Sequence, residues 1–299
     1  MDPRRRSSLA GMETDPQLSY ATYFRHPVSR AVVRTVERLS GQREIKSLYD
    51  RYRAELAEQT PFWEAAVNLL GLDVRYDRER LQRLPATGPL VIVANHPFGV
   101  LDGLTICWLV SLVRRDFLIL TNSVLMEAPE ARPYLVPIDF SETREARETN
   151  VASRKRAMAH LGAGGCVIVF PAGGISTANQ PFGAAIDDTW KPFTAKLISA
   201  SGAHVTPIYF EGQNSRLFQW ASHLSLQLRL AFVFREVKRR MGTPLPVHIG
   251  ETLSPQALQN AGKRAQLMAF LRAATYGLAP PDWQRRIARA EARQTEKAL

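Results

Sequence analysis

The stretch Leu90-Val-Ile-Val-Ala94, followed by Asn95-His-Pro-Phe-Gly-Val-Leu-Asp-Gly103, constrains the fold most. Five successive apolar residues predict a strand buried on both faces, as in a sheet covered by helices on either side. Asn95-His96-Pro97 stops the strand, and Asp102-Gly103 opens an apolar, helical segment. In open α/β sheets the loops at the carboxyl ends of strands form the site. A histidine there, with a carboxylate at the next helix start, is a general-base arrangement. The carboxylate holds the imidazole in one tautomer and stabilises its charged form, while the other ring nitrogen takes a proton from a hydroxyl. The same spacing also suits a histidine packed in a turn and an aspartate that caps its helix. The residues alone leave both open.

Downstream, strands and helices alternate. Phe117 to Leu120, Leu135 to Ile138, Cys166 to Phe170, His204 to Phe210 and Val247 to Ile249 read as strands, and Arg144 to Leu161 and Trp190 to Ala200 as helices. This alternation predicts an α/β domain with a mainly parallel central sheet flanked by helices, over residues 72–254. Ahead of it, residues 1–18 are polar and are expected to be disordered. Residues 19–71 read as amphipathic helices: Val28, Val32, Val36 and Leu39 share one face, Ile45, Leu48, Tyr49, Tyr52 and Leu56 another, and Phe62, Trp63, Val67 and Leu70 a third. Their arginines suit lipid phosphates and their apolar faces acyl tails, or those faces pack on the domain. Residues 255–299 read as helices on its flank.

The formal net charge of +11 points to an anionic partner. No base-stacking platform is interleaved with the basic residues, so nucleic acid is excluded in favour of an anionic membrane surface or an acidic carrier protein. The longest apolar stretch, Leu104 to Val113, is shorter than the about 20 residues of a membrane span. No signal peptide is visible, and Cys107 and Cys166 lie in apolar runs as core thiols. The expected location is therefore cytoplasmic, peripheral on the inner face of the cell membrane. Gly162-Ala-Gly-Gly165 follows a helix and lacks the lysine of a phosphate loop. Gly174-Ile-Ser-Thr-Ala178 lacks the second glycine of a nucleophile elbow. Nothing has metal-ligand spacing, so no bound metal or cofactor is expected.

Asn95-His96 with Asp102 resembles the Asn-His-(four residues)-Asp signature of the lysophospholipid (glycerolipid) acyltransferase superfamily. Pro133-Tyr-Leu-Val-Pro-Ile-Asp139, Val167-Ile-Val-Phe-Pro-Ala-Gly-Gly174 and Val205-Thr-Pro-Ile208 resemble its later blocks, in order, across roughly Leu84 to Leu253. The run Tyr209-Phe-Glu-Gly-Gln-Asn-Ser-Arg-Leu-Phe218 resembles the haemolysin-like branch, which includes ornithine-lipid acyltransferases. The resemblance implies the superfamily's fold, with His96 and Asp102 catalytic and Asn95, Phe98 and Gly99 shaping the site. The turn Pro171, Ala172, Gly173 and Gly174 would present the backbone N–H groups of its three non-proline residues to a phosphate or an oxyanion. Asn214 and Arg216 would lie at the rim, or Asn214 would be structural.

Three departures matter. Five residues, not four, separate His96 from Asp102; Ala172 stands where the third block has an acid; and Phe140 follows Asp139 where the second block ends in arginine. That arginine is thought to bind the acceptor's phosphate, as a guanidinium fork would. Its loss favours another head group, such as a lyso-ornithine lipid, although Arg144 or Arg147 can supply charge from the next helix. The expected reaction is O-acyl transfer to a lyso-lipid hydroxyl from acyl-ACP or acyl-CoA, without an acyl-enzyme. The alternatives are a lysophosphatidic acid acyltransferase and an inactive membrane-binding or haemolysin-type protein.

Overall fold

The structure is a computed structural model, and it describes residues 18–24, 26–121, 126–139, 143–180 and 182–298. The stretch expected to be disordered therefore lies, except for Leu18, outside the described residues.

The strands are β1 (Asp73–Arg75), β2 (Leu90–Ala94), β3 (Phe117–Thr121), β4 (Leu135–Pro137), β5 (Cys166–Val169), β6 (Thr177–Ala178), β7 (Ala185–Ile186), β8 (His204–Phe210) and β9 (Pro244–Ile249). Seven of them form one sheet in the order β1-β9-β8-β2-β5-β3-β4, and β6 and β7 form a separate two-stranded hairpin. All neighbours in the large sheet are parallel except β8 and β9. The mainly parallel α/β architecture anticipated from the sequence is the one observed. β2 lies at the middle of the order, between β8 and β5, and every residue of it is buried.

Alternation along the strands sorts the core into two layers. Leu90, Ile92 and Ala94 of β2 pack with Ile168, Ile208 and Ile119 on one face. Val91 and Val93 pack with Val167, Val205 and Leu118 on the other. The first face is covered by the helices α1 (Pro27–Leu39), α2 (Gln42–Arg51), α3 (Phe62–Leu69), α4 (Arg78–Gln82) and α5 (Val100–Ser111). Against the second lie α6 (Arg144–Gly162) and α7 (Phe193–Ser201). Between β8 and β9 the chain forms α8 (Arg216–Leu224), α9 (Leu226–Ala231) and α10 (Val233–Arg240), which return to the first face. Two further helices, α11 (Pro255–Asn260) and α12 (Arg264–Tyr276), join the second face, and α13 (Pro281–Ala298) packs beside β7 through Ile287.

The amphipathic N-terminal helices divide in role. Tyr49 of α2, Tyr52 just after it, and Trp63 and Val67 of α3 are buried in the first layer. α1 instead buries Val33 and Glu37 and leaves Val28, Val32 and Leu39 exposed. The helix expected from Trp190 begins only at Phe193. Pro192 sets its start, and Trp190 turns inward to a buried carboxylate described below.

Candidate active site

Asn95, the first residue past β2, is buried. Its amide nitrogen donates to the Phe210 carbonyl at 2.9 Å and its oxygen accepts from the Phe210 N–H at 2.7 Å. This two-way bond extends the β2–β8 ladder by one rung, so Asn95 shapes the site by fixing the strand end. The peptide of His96 is then gripped from both sides. Its N–H donates to Asp187 Oδ1 at 3.1 Å, and its carbonyl accepts from the Ser176 N–H at 2.8 Å.

The imidazole lies 4.1 Å from the Phe170 ring, centroid to centroid, in a stacked arrangement. Its Nδ1 lies 3.0 Å from Asp102 Oδ2. The approach is oblique, within hydrogen-bonding distance but without the alignment of a full bond, and Nδ1 has no other partner among the described residues. Catalytic contacts of this kind often tighten only when substrate is in place. The side chain keeps 18% of its surface exposed while Asp102 keeps none. With Nδ1 facing the carboxylate, Nε2 is the nitrogen left for a hydroxyl.

Asp102 makes two kinds of contact. Its Oδ2 also accepts from the N–H groups of Phe98 at 2.8 Å and Gly99 at 3.0 Å, capping α5. The alternatives left open by spacing are therefore both present: the carboxylate caps its helix and touches the histidine. Burial pushes its carboxyl above the usual range, and the His96 contact opposes this. The extra residue between His96 and Asp102 is taken up at Gly99, where φ is +73°. A Cβ there would sit 2.7 Å from Ile175 Cδ1, so both backbone and space require glycine.

Phe98 is not a wall of an open cleft. It is buried, with the Arg240 guanidinium 4.3 Å from its ring centroid, and a Cβ on Gly212 would sit 2.7 Å from the ring. The third-block turn comes alongside the histidine through Phe170. Pro171 and Ala172 are buried, and Ala172 joins the second core layer, so no carboxylate projects from that position. The Gly173 N–H is used within the turn, donating to the Phe170 carbonyl at 2.9 Å. This removes one of the donors expected to face an oxyanion; the Gly174 N–H has no partner among the described residues.

The structure does not bring the other candidates to the histidine. Arg144 is exposed and pairs with Glu148 at 3.0 Å. Arg216 is exposed and lies over the Phe182 ring at 4.6 Å. Asn214 is buried, with neither end of its amide bonded among the described residues, so it does not line a rim.

Sequence reasoning missed Asp187. Besides the His96 N–H, it accepts from the Ser176 hydroxyl at 2.5 Å and the Trp190 indole at 2.9 Å, and its own N–H donates to the Tyr276 oxygen at 2.7 Å. Complete burial pushes its pKa up despite these bonds. No periodic pattern marks it, because Asp187-Asp188 reads as a surface turn. Arg229 of α9 was missed as well; it bonds the Ile175 carbonyl beside the glycine turn.

Comparison with known proteins gives three results. A family model described as "Acyltransferase" matches residues 25–281. A protein of Phocaeicola vulgatus named lyso-glycine lipid O-acyltransferase is 26% identical over 228 residues, covering 73% of this chain and 77% of its own. One of the same name from Bacteroides thetaiotaomicron is 24% identical over 262 residues, covering 84% and 91%. Among solved structures, the 1-acyl-sn-glycerophosphate (LPA) acyltransferase PlsC of Thermotoga maritima aligns with a TM-score of 0.46 and 17% identity, covering 86% of this chain and 83% of its own.

Proposed function

The chain belongs to the acyltransferase family, within the glycerolipid acyltransferase superfamily, and we propose that it acylates the hydroxyl of a lyso-amino-acid lipid at a membrane surface. The observation that carries the chemistry is the 3.0 Å approach of His96 Nδ1 to Asp102 Oδ2 at the carboxyl end of the central strand, with part of the ring exposed. His96 Nε2 accepts the proton of the acceptor hydroxyl as that oxygen attacks the carbonyl carbon of an acyl thioester. Asp102 stabilises the imidazolium. The tetrahedral intermediate then breaks its C–S bond, the thiol leaves with the proton from Nε2, and the ester remains.

The names of the relatives, both lyso-glycine lipid O-acyltransferases, support an amino-acid head group over a phosphate. So does the absence from the sequence of an arginine after Asp139. The donor is acyl-ACP or acyl-CoA, and both carry phosphate. In favour of such a donor is a cavity of about 250 Å³ beside α13, with Arg286, Arg289 and Arg293 on its wall. The inner face of the cell membrane is the proposed location, and a membrane-surface reading as such is supported by the exposed apolar side chains. Among the described residues, seven of the eleven large ones lie on α1, α8 and α9: Val28, Val32 and Leu39, then Leu217, Trp220, Leu224 and Leu226. These helices pack against one another and carry arginines that suit anionic lipid.

The test is product analysis by mass spectrometry, with purified lyso-lipids and each donor, for the wild type and His96→Ala. The wild type is expected to acylate lyso-glycine or lyso-ornithine lipid and the variant to do so at least about 10³-fold more slowly. Turnover of lysophosphatidic acid alone would overturn the head group. No turnover of any acceptor would leave an inactive membrane-binding protein.

A further inference from the structure

Arg229 lies on α9, outside every sequence block that marks the family, and its surroundings suit a cation waiting for an anion. Its guanidinium donates to the Ile175 carbonyl, and a methyl group on Gly174 would sit 3.6 Å from its Nη2. Ile175 closes over Gly99, and the next residue, Ser176, bonds the His96 carbonyl. The guanidinium is thus tied to the same short segment that holds the catalytic histidine.

No carboxylate lies within 4.0 Å of Arg229 among the described residues. On α10, by contrast, Arg235 and Arg239 both pair with Glu236, while Arg216 and Arg240 lie over the rings of Phe182 and Phe98. Arg229 is half-buried, and burial holds its guanidinium below the usual arginine range. Desolvating a cation without a counter-ion is costly, and a site that does so regains the cost when an anionic ligand binds. Three residues before it on the helix, Leu226 is exposed. Positions i and i+3 lie on neighbouring parts of a helix face. A lipid whose tails run along the exposed leucine would carry its head group to Arg229.

We infer that Arg229 is the head-group anchor of the acceptor, forming a charge-assisted, bidentate pair with the free carboxylate of the amino-acid lipid. An amino acid joined to a fatty acid through its nitrogen keeps that carboxylate, and a planar guanidinium matches it. The inference rests on the acceptor class proposed above. It supplies the positive charge that the second sequence block lacks, from a helix far along the chain.

The test compares an N-(3-hydroxyacyl)glycine with its uncharged primary amide, which has the same hydroxyl, and with lysophosphatidic acid. Each is given to the wild type, Arg229→Lys and Arg229→Gln, with thermal unfolding as a check on folding. The wild type is expected to lose about 10- to 100-fold in kcat/KM on going from acid to amide, mainly through KM. Arg229→Gln should lose a similar factor on the acid and almost nothing further on the amide, whereas Arg229→Lys should keep part of the discrimination. Equal losses on acid and amide in Arg229→Gln, or a wild type indifferent to the carboxylate, would overturn the anchor while leaving the His96 chemistry intact. Coupling of Arg229 to lysophosphatidic acid alone would overturn the carboxylate assignment. A folded wild type inert towards all three acceptors would overturn both the anchor and the proposed acceptor class.

Discussion

Replacing Asp102 with asparagine separates what this carboxylate does for the reaction from what it does for folding. The amide oxygen can still accept from the N–H groups of Phe98 and Gly99, so the cap on α5 survives. The charge that stabilises the imidazolium does not, and kcat should fall about 10³- to 10⁴-fold. The effect on stability should depend on pH. The folded-state pKa of Asp102 is raised by complete burial, so its contribution to stability is fully present below the ordinary carboxylate range. It is lost as pH rises towards the folded-state pKa, because the unfolded chain ionises first. The slope in that window is about 1.4 kcal/mol per pH unit for one proton. The variant lacks this slope. At acid pH it should be the weaker protein by about 1–3 kcal/mol, since its amide NH₂ replaces Oδ1, which has no partner among the described residues. The difference should shrink as pH rises. Glu37 and Asp187 are shifted in the same direction, but both proteins carry them, so they cancel in the comparison. Urea unfolding of both proteins at several pH values between 4 and 8 reads the difference. A gap that stays constant with pH would refute the argument that burying this charge costs stability. Activity within about tenfold of wild type would refute its role beside His96.

Three further outcomes are expected. Asp187→Asn leaves the Trp190 N–H or the Ser176 hydroxyl facing a second donor; kcat should drop about 10- to 100-fold in steady-state assays, with a lower melting temperature. Asn95→Ala strands the buried N–H and carbonyl of Phe210, and denaturant unfolding should show a loss of about 2–4 kcal/mol. Trp220→Glu combined with Leu224→Glu alters only exposed positions; co-sedimentation with anionic vesicles should fall at least about tenfold, while turnover of a detergent-dispersed acceptor stays within about twofold of wild type.

The sheet was legible where burial leaves no choice. β2, β5 and much of β8 are runs of apolar residues, and only an inner strand needs both faces so. α8–α10 were not legible. Leu224, Leu226, Leu228 and Leu230 alternate with polar residues, the period of a half-exposed strand, yet they fall in helices. Packing of Leu230, Val233, Phe234 and Val237 into the first core layer outweighs that pattern. The histidine and its carboxylate partner are close in sequence, so their pairing could be read from the loop. Asp187 and Arg229 reach the same place from 91 and 133 residues downstream of His96, respectively. No local pattern encodes such a meeting; it follows only from the order of strands and the return of α8–α10 across the sheet. Arg144, a plausible charge by sequence distance, lies exposed at the start of α6 and pairs with Glu148.

Under the proposed docking on a membrane, the bare strip of Leu217, Trp220, Leu224 and Leu226 has a kinetic consequence. An enzyme held to a leaflet by such residues meets its acceptor by lateral diffusion, so its rate follows the mole fraction of lyso-lipid in the surface and not the bulk concentration. Diluting that surface with inert lipid should then slow turnover even when the total acceptor in the tube is unchanged.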